Sequence, residues 1–246
     1  LFIVSPLAST SYTVSGTDAN SCSASAVANV TVYASPVLSV NSGSVCAGSG
    51  YTISPSGAST YTITGGNFVV TPLSNTSYTV SGTSVNGCQA ATNAVADVTV
   101  NAIPVITVNS GSICSGQSFT MASGGASTYT YTGGSAIVSP GVTTSYSVSG
   151  TSPSGCISSA PAVATVVVNA TPTLAVSSGS VCAGNQFTIS PSGAVNYSIT
   201  GGQFVVSPTS TTSYTITGDN ANSCTGTIVA AVSVGTLPVI TAANGT

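Results

Sequence analysis

Apolar and polar positions alternate along this chain in short runs. No stretch shows the three-to-four-residue spacing of an amphipathic helix. In the run Thr-Ser-Tyr-Thr-Val-Ser-Gly, Tyr78 and Val80 fall on one face while Thr79 and Ser81 fall on the other. The same logic, weighted by β-branched residues, predicts strands at roughly 37–40, 51–54, 60–64, 68–71, 77–82 and 94–100. Turn signals separate them at Asn41-Ser42-Gly43, Pro55-Ser56-Gly57, Gly65-Gly66 and Asn86-Gly87, the last a strong hairpin signal.

The pattern recurs. PVLSVNSGSVCAG begins at Pro36, PVITVNSGSICSG at Pro104 and PTLAVSSGSVCAG at Pro172. TSYTVSGTSVNGC ends at Cys88, TSYSVSGTSPSGC at Cys156 and TSYTITGDNANSC at Cys224. Both series advance with one period of about 68 residues, the signature of a repeat architecture. The opening residues, through Cys22, match the second half of a unit, and the last ten match the first strand of one. The predicted organisation is a partial module at 1–34, whole modules at 35–102, 103–170 and 171–236, and the first strand of a further module at 237–246. Six to seven short strands per unit predict an all-β fold, a tandem array of small immunoglobulin-like β-sandwiches.

Composition narrows the partners. Among 246 residues there is no Lys, Arg or His, and the three acidic residues are Asp18, Asp97 and Asp219. A nucleic-acid ligand is not expected, because no cation is present to neutralise phosphate. A transmembrane helix is not expected either, since no apolar run approaches the length of a span. A nearly uncharged surface lacks the repulsion that keeps proteins apart, so self-association, or contact with neighbouring repeats of the same protein, is the expected partnership. Catalysis is not expected: Ser and Thr are abundant, but a nucleophile needs a base and an orienting group, and three scattered carboxylates supply neither. No metal or cofactor is expected, for want of clustered ligands.

Seven cysteines in such a chain suggest an oxidising compartment. Each whole unit carries one cysteine early and one late, at the same two phases of the repeat. The repeat suggests the in-module pairs Cys46–Cys88, Cys114–Cys156 and Cys182–Cys224, with cross-module pairing such as Cys88–Cys114 as the alternative. Cys22 is left unpaired in this segment. Tyr12, Tyr78, Tyr146 and Tyr214 share one phase of the repeat and read as core or corner tyrosines bonded to nearby backbone, with a sugar-stacking platform as the alternative. Tyr61, Tyr129 and Tyr197 read as core, and alternation places Tyr129 and Tyr131 on one face.

The succession Val-Cys-Ala-Gly, Tyr-Thr-Ile, Gly-Gly, Ser-Tyr-Thr-Val-Ser-Gly-Thr and Asn-Gly-Cys resembles the Ig-like (PKD-like) modules repeated in large secreted and surface proteins of Bacteroidota, which are associated with gliding motility and type IX secretion. The resemblance covers nearly the whole chain. It implies an extracellular or cell-surface, multi-module stalk and carries no catalytic residues. The expected function is an extracellular structural repeat segment, a semi-rigid rod or filament, with self-assembly at the cell surface as one form. Alternatives are an adhesin binding glycans or another cell surface, and the noncatalytic stalk of a larger secreted enzyme.

Overall fold

A computed structural model describes residues 1–236 and 238–240, and the secondary structure of these residues is entirely β. Residue 237 and residues 241–246, where much of the expected strand of a further module falls, lie outside the described residues. Spatial clustering gives two compact units, Leu1–Pro104 with Pro153–Cys156 and Val105–Ser152 with Ile157–Thr246.

The middle repeat shows the topology. Strand Ala162–Asn169 lies between Gly111–Cys114, which runs parallel to it, and Thr144–Thr151, which runs antiparallel. Thr128–Tyr131 closes the far edge of this four-stranded sheet. Across the core, Thr107–Val108 pairs with Ser123–Gly124, and Phe119–Thr120 pairs with Ile137–Val138. The first segment of the module thus begins in one sheet and crosses to the other, where it runs beside the last strand. Two facing sheets joined this way form an immunoglobulin-like β-sandwich. The four-stranded sheet recurs with the same order in the neighbouring repeats, so the fold is a tandem array of such modules.

The crossing is written in the Asn-Ser-Gly-Ser run. Asn41 Oδ1 accepts the Ser54 N–H at 2.6 Å, and its Nδ2 donates to the Thr52 carbonyl at 3.0 Å. Its side chain therefore replaces the backbone of the strand that has just left the sheet. Ser42 Oγ accepts the Asp97 N–H at 3.0 Å in the opposite sheet. Asn109 and Ser110 repeat both acceptances, and Ser177 and Ser178 do so with hydroxyls alone. The next residue is glycine because an aromatic ring lies on it: a Cβ at Gly111 would sit 2.5 Å from the Phe119 ring.

These bonds correct the strand assignment. Asn41-Ser42-Gly43, predicted as a turn, leads directly into strand Gly43–Cys46. The predicted strand at 37–40 holds only an isolated bridge between Ser39 and Ser56. Side-chain bonds that imitate a strand carry no alternating pattern, so periodicity misplaces the strand by a few residues.

Each whole module buries one side of both sheets. In the middle module Ile106, Ile113, Met121 and Val138 meet Val148, Ala164 and Val166. In the third, Ile189 and Ile199 meet Ile216, Ala230 and Val232. In the first, Ile53 meets Val80 and Ala96. Residues 1–34 form only a hairpin, Thr10–Thr17 with Ser23–Val30. Its face has no second sheet over it: Val14 is 52% exposed where Val80, Val148 and Ile216 are fully buried.

Two glycines with positive φ test how closely the first segment of the third module approaches the turn after Pro191–Ser192. Gly202 has φ +78° and open space around a Cβ, whereas Gly193 has φ +99° and a Cβ there would meet the Thr173 carbonyl oxygen at 2.1 Å. Gly202→Ala should cost about 1–2 kcal/mol, the penalty of a left-handed residue. Gly193→Ala should cost at least about twice that, because backbone must also shift. Chemical denaturation of the two variants checks the order.

Candidate functional site

The chemistry of the chain gathers at the ends of the modules. Cys46 ends a strand that runs parallel to the last strand of its module, opposite Asn101. Chain direction therefore places it at the pole where the chain leaves the module. Cys88 follows strand Thr76–Thr83, which is antiparallel to that last strand, so it lies in the hairpin at the entry pole. The last strand, Ala94–Asn101, is roughly 24 Å long at the usual rise per residue. A disulfide needs Cα atoms within about 7 Å. The two cysteines of one module cannot meet.

They meet their neighbours instead. Cys46 is bonded to Cys156 and Cys114 to Cys224, with Cα–Cα distances of 5.7 and 5.5 Å and a sequence separation of 110 in both. The exit-pole cysteine of one module is thus joined to the hairpin cysteine of the next. The expected in-module pairs Cys46–Cys88, Cys114–Cys156 and Cys182–Cys224 do not form, nor does the alternative Cys88–Cys114. Cys88 and Cys182, expected to be bridged, carry free thiols, as does Cys22. Spacing alone cannot distinguish a partner in the same module from one in the next, because the same period fixes both separations. Strand direction distinguishes them.

The bonded hairpin cysteines are seated under the end of the preceding module's last strand. The Cys156 sulfur lies 3.9 Å from the Asn101 carbonyl oxygen, and the Cys224 sulfur lies 3.8 Å from that of Asn169. Cys88 is placed in the same way, 3.8 Å from the Tyr33 carbonyl oxygen. The hairpin is held by its first side chain. Asn220 Oδ1 accepts the N–H groups of Asn222 and Cys224, both at 3.0 Å, while its Nδ2 donates to the Ala170 carbonyl at 2.8 Å. Asp18 caps its own hairpin through the same two N–H positions, Asn20 and Cys22. At Cys88 the Ser84 hydroxyl accepts the cysteine N–H. On the exit side, the residue after the strand-end cysteine bonds back to the last strand: the Ala47 and Ser115 N–H groups donate to the carbonyls of Asn101 and Asn169.

The other candidate residues are dispersed. The corner role belongs to Tyr61, Tyr129 and Tyr197, whose hydroxyls bond both N–H and C=O of Ala58, Ala126 and Ala194 at 2.6–3.0 Å. The series read as core or corner, Tyr78, Tyr146 and Tyr214, takes the core role and packs half-buried against the cores, and Tyr12 is half-buried on the hairpin. Tyr129 and Tyr131 do share a face, with ring centroids 6.5 Å apart. Asp97 Oδ1 accepts the Ser77 hydroxyl, and Asp219 Oδ2 accepts the Asn196 amide. Asp18 and Asp219 hold different positions: Asn220 caps the hairpin in the third module, and Asp219 ends the strand before it. Among the described residues, no group of three potential metal ligands occurs. A shallow apolar cavity of about 430 Å³ lies against the hairpin of residues 1–34, lined by Phe2, Val4, Tyr12, Val14, Ala28 and Val30 among others.

No protein-family model matches the chain, and no curated protein matches it. Solved structures of tandem β-domains superpose loosely. An adhesin described as Ca2+-stabilized, which helps an Antarctic bacterium reach out and bind ice, is 12% identical, with 93% of this chain and 81% of that one covered at a TM-score of 0.40. Drosophila N-cadherin EC1-4 is 12% identical, with 96% and 85% covered at 0.25. Sidekick-1 immunoglobulin domains 1-4 are 10% identical, with 87% and 79% covered at 0.24. Superpositions of this quality do not discriminate among tandem β-domains, so the fold assignment rests on the strand order given above.

Cys114→Ser should remove a bridge whose cysteines are 110 apart in sequence. The chain-entropy value for a loop of that length is about 5 kcal/mol. Cys182→Ser changes an exposed free thiol and should stay within about 0.5 kcal/mol of the parent. Denaturant unfolding under non-reducing conditions should show a large loss for the first and almost none for the second. Equal effects would contradict the bridge assignment.

Proposed function

We propose that this chain is a force-bearing repeat segment of an extracellular structural or adhesive protein, in which immunoglobulin-like modules are stapled into a semi-rigid rod. One observation carries the reading: the bridges Cys46–Cys156 and Cys114–Cys224 link consecutive modules and interlock in sequence. Residues 114–156 lie inside both loops. The covalent path from Cys46 to Cys224 then runs only through the segment between Cys114 and Cys156, instead of through the whole open chain from one end to the other. Tension on the ends is passed through bonds near the junctions, and no bridged module can extend to its full length.

The composition supports the same reading. Disulfides persist in oxidising compartments, and a chain without Lys or Arg offers no site to trypsin-like proteases. The role is noncatalytic, because the three carboxylates are spread over three modules. The stalk function follows from repetition: the same polar turns recur at each junction and no module carries a distinct reactive cluster.

Small-angle scattering tests the rod. The oxidised chain should be elongated, with a radius of gyration well above the roughly 18 Å of a compact domain of this length. Reduction should broaden its distance distribution as the junctions loosen. A compact particle, or a profile indifferent to reductant, would contradict the proposal.

A further inference from the structure

The whole modules repeat a hydroxyl face and differ in what lies over it. In the first, Tyr61, Ile63 and Val80 pack into the core. Alternation therefore turns Thr60, Thr62, Ser81 and Thr83 outward. Cross-strand register sets Thr60 opposite Thr83 and Thr62 opposite Ser81. The second module repeats this square with Thr128 opposite Thr151 and Thr130 opposite Ser149. The segment after the hairpin cysteine does not repeat. In the first module it bridges back to the strand at Gln89 and Thr83, and the Ala90 N–H donates to the Gly82 carbonyl at 2.9 Å. The second module is pinned in the same way, yet it carries Ile157 and Pro161 where the first has Gln89 and Asn93. In the third, the last strand begins at once, with Thr225 paired to Asp219, and the Asn196 amide is bonded to the Asp219 carboxylate.

In the first module the result is a pocket of about 260 Å³, lined by the hydroxyl square together with Gln89 and Asn93. The Thr62 and Ser81 hydroxyls bond each other. Among the described residues, the side chains of Thr60, Thr83, Gln89 and Asn93 bond to no other protein group. Side-chain amides and hydroxyls both donate and accept hydrogen bonds. Sugar hydroxyls do the same, so the two sets are complementary. No charged side chain lines the pocket, which leaves an ionic ligand without a partner. The volume equals that of roughly nine liquid waters, room for one sugar ring. The threonine methyls supply apolar surface for the C–H groups of that ring.

We propose that this pocket is a binding site for a neutral saccharide, with one sugar ring seated on the hydroxyl square and held at its edge by Gln89 and Asn93. The two amides distinguish the first module from the second, which has the same hydroxyls. The site rests on the module fold and not on the rod. A compact scattering profile would leave it standing, and a failure to bind sugar would leave the rod standing.

The test uses the full chain with its two bridges intact, titrated with the neutral trisaccharides cellotriose, mannotriose, galactotriose and tri-N-acetylchitotriose. Backbone amide NMR reads each module separately. At least one trisaccharide should bind with roughly millimolar affinity. It should shift the amides of residues 60–62, 81–83 and 89–93 and leave those of 128–130, 149–151 and 157–161 in place. Gln89→Ile combined with Asn93→Pro installs the second module's residues and should weaken binding at least about tenfold. Gln89→Ala, at an exposed position, should weaken it about threefold and reads the same loss if the double variant unfolds. A triserine peptide and trigalacturonate, as peptide and acidic probes, should leave the pocket amides unmoved. No shift with any of the four trisaccharides up to about 50 mM, equal shifts in the second module, undiminished binding by folded Gln89→Ala, or tighter binding of the peptide or the acidic sugar would each overturn the proposal.

Discussion

The short parallel ladder between Gly111–Cys114 and Ala162–Asn169 governs more than the edge of one sheet. A strand parallel to the last strand of a sandwich must end where the chain exits, so a cysteine at its tip faces onward. The hairpin before the last strand turns at the other end, so its cysteine faces back. With both cysteines in one module they are held apart by the length of the sheet, and each is presented to a neighbour. The intermodule bridges follow from strand direction, and the interlocked load path follows from the bridges. The ladder itself depends on the crossing, where Asn109 and Ser110 take hydrogen bonds from opposite sheets and Gly111 admits the Phe119 ring.

A chain with almost no charge must hold its junctions without ion pairs. It uses side-chain amides and hydroxyls on backbone, together with covalent bonds. Asn220 both caps its hairpin and reaches the preceding module at Ala170. The bonded hairpin cysteines are at most 1% exposed, whereas Cys88, without a bonded partner, is only half-buried. Small sandwiches bury few residues: the first module's fully enclosed cluster is Ile53, Val80 and Ala96. In modules of this size the staples are a large part of what keeps the array folded.

Much of the fold was legible in the residues. The repeat and the strands around Tyr78 and Ala96 followed from alternation and self-similarity. Two things were hidden, for related reasons. Strand Gly43–Cys46 was obscured because Asn41 and Ser42 look like a turn while acting as surrogate backbone. Without that strand nothing in the sequence says which way Cys46 faces. Pairing within modules is then the default, because a strict repeat gives every candidate partner the same regularity. The tyrosines show a similar limit. Tyr61 and Tyr78 are both half-buried and both recur, and only the Ala58 backbone within reach of the Tyr61 hydroxyl separates a corner residue from a packing residue.

The central claim is that the cysteines bridge modules rather than closing each one. Non-reducing peptide mapping tests it directly, with chymotrypsin in place of trypsin because the chain has no Lys or Arg. The account predicts linked peptides containing Cys46 with Cys156 and Cys114 with Cys224, and alkylated Cys22, Cys88 and Cys182. Linked peptides joining Cys46 to Cys88 and Cys114 to Cys156 would contradict it.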